Sequence, residues 1–142
     1  MFLAPTQVPS FATADLPAPV PSAEYRACPV TDIVRLLGDK WTLLVLALLA
    51  RRRYHYNELH RAIEGISRRM LTRTLRSLES DGLIDRTVHP TVPPVVEYGL
   101  TPLGETLLDP LSALAGWAVD NAGDIATARR TFADAHDNQA PR

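Results

Sequence analysis

Residues 57–82 carry two helical patterns three residues apart, and the second pattern separates into an apolar side and a basic side. At about 100° per residue, Leu71, Leu75 and Leu78 cluster on one side, with Arg69, Thr72, Arg73 and Arg76 opposite. Asn57 is a good N-cap for a short helix over Glu58 to Ile63, on which Leu59 and Ile63 share a face. After a break at Glu64-Gly65-Ile66, Ser67 caps a longer helix from Arg68 to Asp81. Gly82 stands at its stop, with Leu83 placed for the apolar contact that follows a glycine C-cap. These are the proportions of a helix-turn-helix. The leucines anchor the second helix, and the basic face is left for a partner. Guanidinium groups bond guanine in bidentate fashion or grip phosphate, and threonine contacts a base edge or a methyl, so the outer face suits a DNA major groove. Taken alone, the same face also describes a solvated basic surface on an ordinary helix.

The flanking segments extend the pattern. Two strand-like runs, Leu83 to Val88 and Val95 to Leu100, enclose a proline-bearing connection over residues 89–94, and Arg86 lies in the first run. A helix-turn-helix followed by a hairpin is the winged-helix order, whose wing lies along the backbone or in the minor groove. Upstream, a helix is expected from Cys28-Pro29, with Val30, Ile33, Val34 and Leu37 on one face and Gly38 closing it. Asp39 caps a second helix, Lys40 to Leu49, which is apolar all round and is expected to be the buried centre of the fold. Tyr54-His55-Tyr56 reads as an edge strand. A last long helix runs from Pro102 to about Val119, with Pro110 expected to kink or divide it, and Asn121 to Ala135 reads as a weaker, short helix. The expected fold is mainly α with a small β-hairpin wing.

The chain of 142 residues is 46% hydrophobic and 22% charged, enough for one globular domain with a sizeable core. Residues 1–24 depart from that average, holding five of the twelve prolines and two charges, Asp15 and Glu24. They read as a mobile arm ahead of a domain over residues 25–121, with a short helix and tail over residues 122–142. No basic residue precedes the apolar stretch of the arm, which makes it a poor signal peptide. Trp41 to Ala50 is far shorter than the roughly 20 residues that span a bilayer, so no membrane role and a cytoplasmic location are expected. The single cysteine, Cys28, fits a reducing compartment. The net charge of −1 conceals an uneven distribution. Residues 51–90 carry nine arginines against five acids, whereas residues 91–142 carry three basic side chains against seven acidic ones. Positive charge is gathered in the segment that reads as helix-turn-helix and wing.

Two longer stretches carry a specific resemblance. CPVTDIVRLLGDKWTLLVLALL and YNELHRAIEGISRRMLTRTLRSLESDGLIDRTVHPTVPPVVEYGLTPLGETLL together resemble the HxlR-type regulators, relatives of the MarR family, over roughly residues 28–118. The motifs that carry the likeness are Cys-Pro-Val, Gly-Asp-Lys-Trp, Gly-Ile-Ser, Met-Leu-Thr, Asp-Gly-Leu-Ile, Val-Pro-Pro-x-Val-Glu-Tyr and Leu-Thr-Pro-Leu-Gly. One departure is His55-Tyr56, where Arg-Phe is expected ahead of Asn57. The resemblance implies a homodimeric winged-helix transcriptional regulator, expected to be a repressor, that binds double-stranded DNA. In that arrangement the helices at both ends of the domain form the dimer interface through Ile33, Leu103, Leu107, Leu111, Leu114 and Trp117, with Ala118 on the same stripe. Arg69, Thr72, Arg73 and Arg76 are expected in the major groove, Ser67 and Arg68 near phosphate, and Arg86 on the flanking backbone.

Cys28 has two readings. One is a small, half-buried apolar residue at a helix start. The other is a sensor thiol whose thiolate is stabilised by the helix N-terminus, as in relatives that respond to oxidants or electrophiles; the partner is then a thiol-reactive or small-molecule inducer. The histidines at 55, 60, 89 and 136 show no metal spacing, so neither a metal nor another cofactor is expected. Trp41 and Trp117 read as core or interface side chains. No glycine-rich phosphate loop, nucleophile elbow, HExxH or paired-carboxylate pattern argues for an enzyme. The remaining rival is a winged-helix module that binds protein instead of DNA, which acidic or apolar residues in place of the arginines would favour.

Overall fold

The computed structural model describes residues 29–139, together with Pro19 and Ser22. Cys28 and, apart from Pro19 and Ser22, the expected N-terminal arm over residues 1–24 lie outside the described residues.

Helix α1 (Pro29–Leu37) leads through Gly38 into α2 (Lys40–Leu49). Asp39 caps α2 as expected, its carboxylate accepting from the Trp41 N–H at 2.9 Å. The expectation that α2 is buried all round is corrected. Thr42, Val45, Leu46 and Leu49 are buried, but Leu43 and Leu44 remain 42% and 45% exposed in the single chain. A helix at the edge of a small domain has only one face covered, and this one carries apolar residues on both. In α1, Leu36 and Leu37 pack on the core while Val34 points to water.

Helix α3 (Tyr56–Ala62) starts earlier than the sequence suggests, with His55 and not Asn57 at the N-cap. Glu58 sets this start. One of its carboxylate oxygens accepts from the His55 backbone N–H at 3.0 Å, and the other takes Arg52 at 3.0 Å. The His55 N–H, followed by the Arg52 guanidinium, holds the Glu58 carboxyl below its ordinary pKa. Gly65, at φ 84°, turns the chain into α4 (Arg68–Ser80) in a conformation that costs any other residue about 1–2 kcal/mol. Ser67 caps α4 through a 3.1 Å bond from the Met70 N–H. At the other end Gly82, at φ 73°, donates to the Glu79 carbonyl and Leu83 to the Leu78 carbonyl, each at 3.0 Å, which closes the helix.

Strands β1 (Tyr54–His55), β2 (Ile84–His89) and β3 (Val95–Leu100) form an antiparallel sheet in the order β1-β3-β2, so the aromatic piece at 54–55 is an edge strand. Leu46, Leu59, Leu71, Leu75 and Leu78 meet Ile84 and Tyr98 in one core beneath α4. Each fully buried leucine contributes about 1.5–3 kcal/mol. Helix α5 (Pro102–Asp137) then starts hard against the root of the wing. Thr101 caps it by accepting from the Gly104 N–H at 3.0 Å, and a Cβ at Gly104 would overlap the Leu83 carbonyl, so only glycine allows this approach.

Pro110 does not divide α5, and Asn121 does not begin a separate short helix: residues 102–137 are one helix. Proline removes one N–H from the ladder and kinks a helix at a cost of about 3 kcal/mol. The residues after it restore the helix, with alanine at 113, 115, 118, 122, 126, 128, 133 and 135 and no further proline within the helix. Leu107 and Leu111 pack on the core. Beyond Leu111 the helix leaves the core, exposing Leu114, Trp117, Val119 and Phe132. No described helix is long and apolar enough to cross a membrane.

Candidate nucleic-acid interface

Helix α4 places its leucines and arginines as the sequence periodicity requires. Leu71, Leu75 and Leu78 are buried, and Arg69, Arg73 and Arg76 are exposed along the opposite face. These three side chains sit at i, i+4 and i+7, so they form a row spanning about 10 Å of helix. Neither they nor Arg86 enter an ion pair among the described residues. They are charges without an ion-pair partner among the described residues, on helix and wing elements, which suits an anionic ligand of extended shape.

The wing brings Arg86 to the same side. Along β2 and β3, Arg86 stands opposite Tyr98 and Val88 opposite Val96, so these residues share the face that turns toward the helices. An open concavity of about 700 Å³ lies between α3, α4 and the wing, and Asn57, Arg61, Thr72, Arg76 and Arg86 line it. Arg61, one turn beyond Asn57 on α3, is a basic residue in this concavity that the helix-turn-helix pattern did not single out. Its signal was present in the spacing, since it lies away from the Leu59–Ile63 face.

The other face of the wing neutralises part of the basic segment. Arg53 donates to Asp85 at 2.6 Å, to Glu97 at 2.8 Å and to the Thr87 hydroxyl at 3.2 Å. His89 lies 2.6 Å from the second oxygen of Glu97. A Cβ at Gly99 would collide with the Arg53 guanidinium, so glycine lets the arginine lie flat over the sheet. His89, and then Arg53, hold the Glu97 carboxyl below its usual range, while Asp85 foremost, with Glu97, raises the Arg53 pKa. With Arg52 paired to Glu58, two of the three consecutive arginines at 51–53 are already balanced by carboxylates.

The remaining expected site residues divide. Ser67 and Arg68 lie at the start of α4 and are exposed, although the Ser67 hydroxyl is engaged as the cap. Arg68 turns back, donating to Asn57 at 3.3 Å and lying 5.8 Å from the Tyr56 ring centre. Thr72 is half-buried, and its hydroxyl meets Tyr56 at 3.0 Å. Of the expected interface residues, Leu103, Leu114 and Trp117 are exposed, Ile33 is half-buried, and Leu107 and Leu111 are partly covered by the chain's own core. Among the described residues, no group of three His, Cys, Asp or Glu side chains could hold a metal ion.

Residues 36–125 match the family model described as HxlR-like helix-turn-helix. The HTH-type transcriptional regulator YtfH of Escherichia coli is 37% identical over 102 residues, covering 72% of this chain and 81% of YtfH. Among solved structures, the transcriptional regulator ytfH of Salmonella typhimurium superposes with a TM-score of 0.64 at 36% identity, covering 74% of this chain and 94% of its own. The redox regulator HypR in its reduced form superposes with a TM-score of 0.65 at 34% identity, covering 70% of this chain and 99% of its own.

Proposed function

Because the chain belongs to the HxlR-like helix-turn-helix family of DNA-binding transcriptional regulators, we propose that it acts as a homodimeric repressor on an inverted-repeat operator. Helix α4 lies in the major groove and presents Arg69, Arg73 and Arg76, with Thr72 at its edge. Ser67, Arg68 and Arg61 lie near phosphate, and Arg86 reaches the flanking backbone. The observation that carries this reading is the row of arginines without an acidic partner among the described residues, held on a helix whose opposite face is buried leucine. A two-fold dimer presents two such helices to half-sites about one helical turn apart, or a small multiple of it.

Exposed apolar surface supports the dimer. Val34, Leu43 and Leu44 at one end of the domain and Leu114 and Trp117 on α5 face water in the single chain, and large apolar side chains exposed together mark interaction surfaces. The interface then uses α1, the outer face of α2, and α5 well beyond residue 121, where Ile125 and Phe132 continue the apolar stripe. Charge separation fits this polarity: acids gather on the α5 side and free arginines on the α4 side, which orients the dimer toward DNA.

Separating base readers from phosphate grips tests the reading. Arg73→Ala or Arg69→Ala is expected to cost ~1–3 kcal/mol on the operator and little on scrambled DNA. Arg86→Ala is expected to weaken both duplexes about equally. Competition gel shifts measure the difference; equal losses on both duplexes for the α4 variants would place specificity elsewhere.

Cys28, directly before the proline that opens α1, is the proposed sensor, a reading favoured by the likeness to the redox regulator HypR. A cysteine thiolate at a helix start is in general stabilised by the N–H groups there, and modification of a residue next to α1 would be expected to tilt one subunit against the other. Diamide is expected to weaken operator binding by the native protein and to leave Cys28→Ser unaffected. Equal behaviour of the two proteins in gel shifts removes Cys28 as the sensor.

A further inference from the structure

The hydroxyl of Tyr56, at the first position of α3, reaches across to α4 and touches two oxygens there. It lies 3.1 Å from the Arg68 carbonyl oxygen and 3.0 Å from Thr72 Oγ1. A phenol has one proton, and a carbonyl oxygen can only accept. The phenolic proton therefore goes to Arg68. If the Thr72 hydroxyl also turned its lone pairs toward Tyr56, two oxygens would face each other at 3.0 Å with no proton between them. Thr72 must instead donate its own proton to Tyr56. No other hydrogen bond to the Thr72 hydroxyl occurs among the described residues, and Thr72 lines both the groove along α4 and the concavity beside the wing.

The consequence concerns what Thr72 offers outward. A free threonine hydroxyl donates or accepts, and so tolerates any base edge. With its proton committed inward, Thr72 presents only oxygen lone pairs and a methyl group. The lone pairs match the amino group of cytosine or adenine, and the methyl matches the methyl of thymine. Guanine presents two acceptors, N7 and O6, and would set lone pair against lone pair. We propose that Tyr56 is a positioning residue for specificity: by holding the Thr72 proton, it makes the operator exclude guanine at the one half-site base that Thr72 faces. Phenylalanine, the residue expected at this place from the family resemblance, has no hydroxyl with which to do so. This proposal rests on α4 being the groove reader.

Selection from a randomised duplex pool tests it, with native protein, Tyr56→Phe, Thr72→Val and the double variant. Native protein is expected to return duplexes depleted of guanine at one position per half-site. Tyr56→Phe frees the Thr72 proton, and guanine at that position is expected to rise about fivefold, the low end of the discrimination that one base pair of a site carries. The double variant is expected to select as Thr72→Val does, because the phenol acts through that hydroxyl alone. A Tyr56→Phe protein that binds every duplex more weakly with unchanged base frequencies would make the bond merely structural and overturn the proposal. So would a guanine shift that persists in the Thr72→Val background. If native protein selects no sequence at all, the reading of α4 as groove reader falls and the proposal falls with it.

Discussion

Leu114→Glu is expected to leave a folded monomer that has lost operator binding. Leu114 is 59% exposed and lies beyond the part of α5 that packs on the chain's own core, so a carboxylate there stays hydrated in the isolated subunit. In the proposed dimer the same carboxylate would be buried in an apolar seam without a partner, at a cost of several kcal/mol. Binding through one recognition helix then forgoes the gain of linking two half-sites, on the order of 10²–10⁴ in affinity. Sedimentation equilibrium and gel shifts should report the two losses together, with the circular dichroism of a helical protein retained. Leu107→Glu is the wrong probe, because Leu107 packs within the subunit and the variant would damage the fold itself. A Leu114→Glu protein that remains dimeric would remove this part of α5 from the interface.

Affinity for the operator is expected to fall roughly a thousandfold between 50 and 200 mM salt if each subunit grips three phosphates, since six neutralised phosphates give a slope near −5.4 in log K against log[salt]. The arginines that can contribute are those without an internal carboxylate. Arg86→Ala should shallow the slope by about 2 for the dimer, because each subunit then neutralises one phosphate fewer. Arg52→Ala should leave it nearly unchanged, because Arg52 is already paired with Glu58 at 3.0 Å. Titrations at several salt concentrations measure these slopes. A flat salt dependence would be incompatible with α4 and the wing meeting phosphate, whatever the affinity at a single condition.

The parts of this protein legible from sequence are those set within a few residues. Asp39 and Ser67 cap helices because their side chains reach N–H groups two and three residues on, and Gly82 and Leu83 stop α4 by donating to the carbonyls of Glu79 and Leu78. The split of α4 into leucines and arginines follows from the helical period alone, and the order of helices and wing from that period together with the strand-like runs and prolines over residues 83–100. Where local signals compete, residue type misleads. Asn57 is the better N-cap by type, but Glu58 reaching back to His55, with Arg52 behind it, moves the start of α3. Pro110 is a breaker by type, yet the alanine-rich stretch after it carries α5 on.

The winged helix-turn-helix and the face it turns outward are therefore written in the chain itself, since caps, turns and periodicity act over one or two helical turns. Which basic residues keep a free charge is instead settled by packing. Arg53 meets Asp85 and Glu97 across 32 and 44 residues of chain, through the register of the wing strands, and no count of arginines along residues 51–90 reveals that pairing. The same holds for Tyr56 and Thr72, 16 residues apart, and for the uncovered faces of α2 and α5. Such contacts depend on how separate elements pack, so their partners are fixed by distances in space that sequence spacing does not encode.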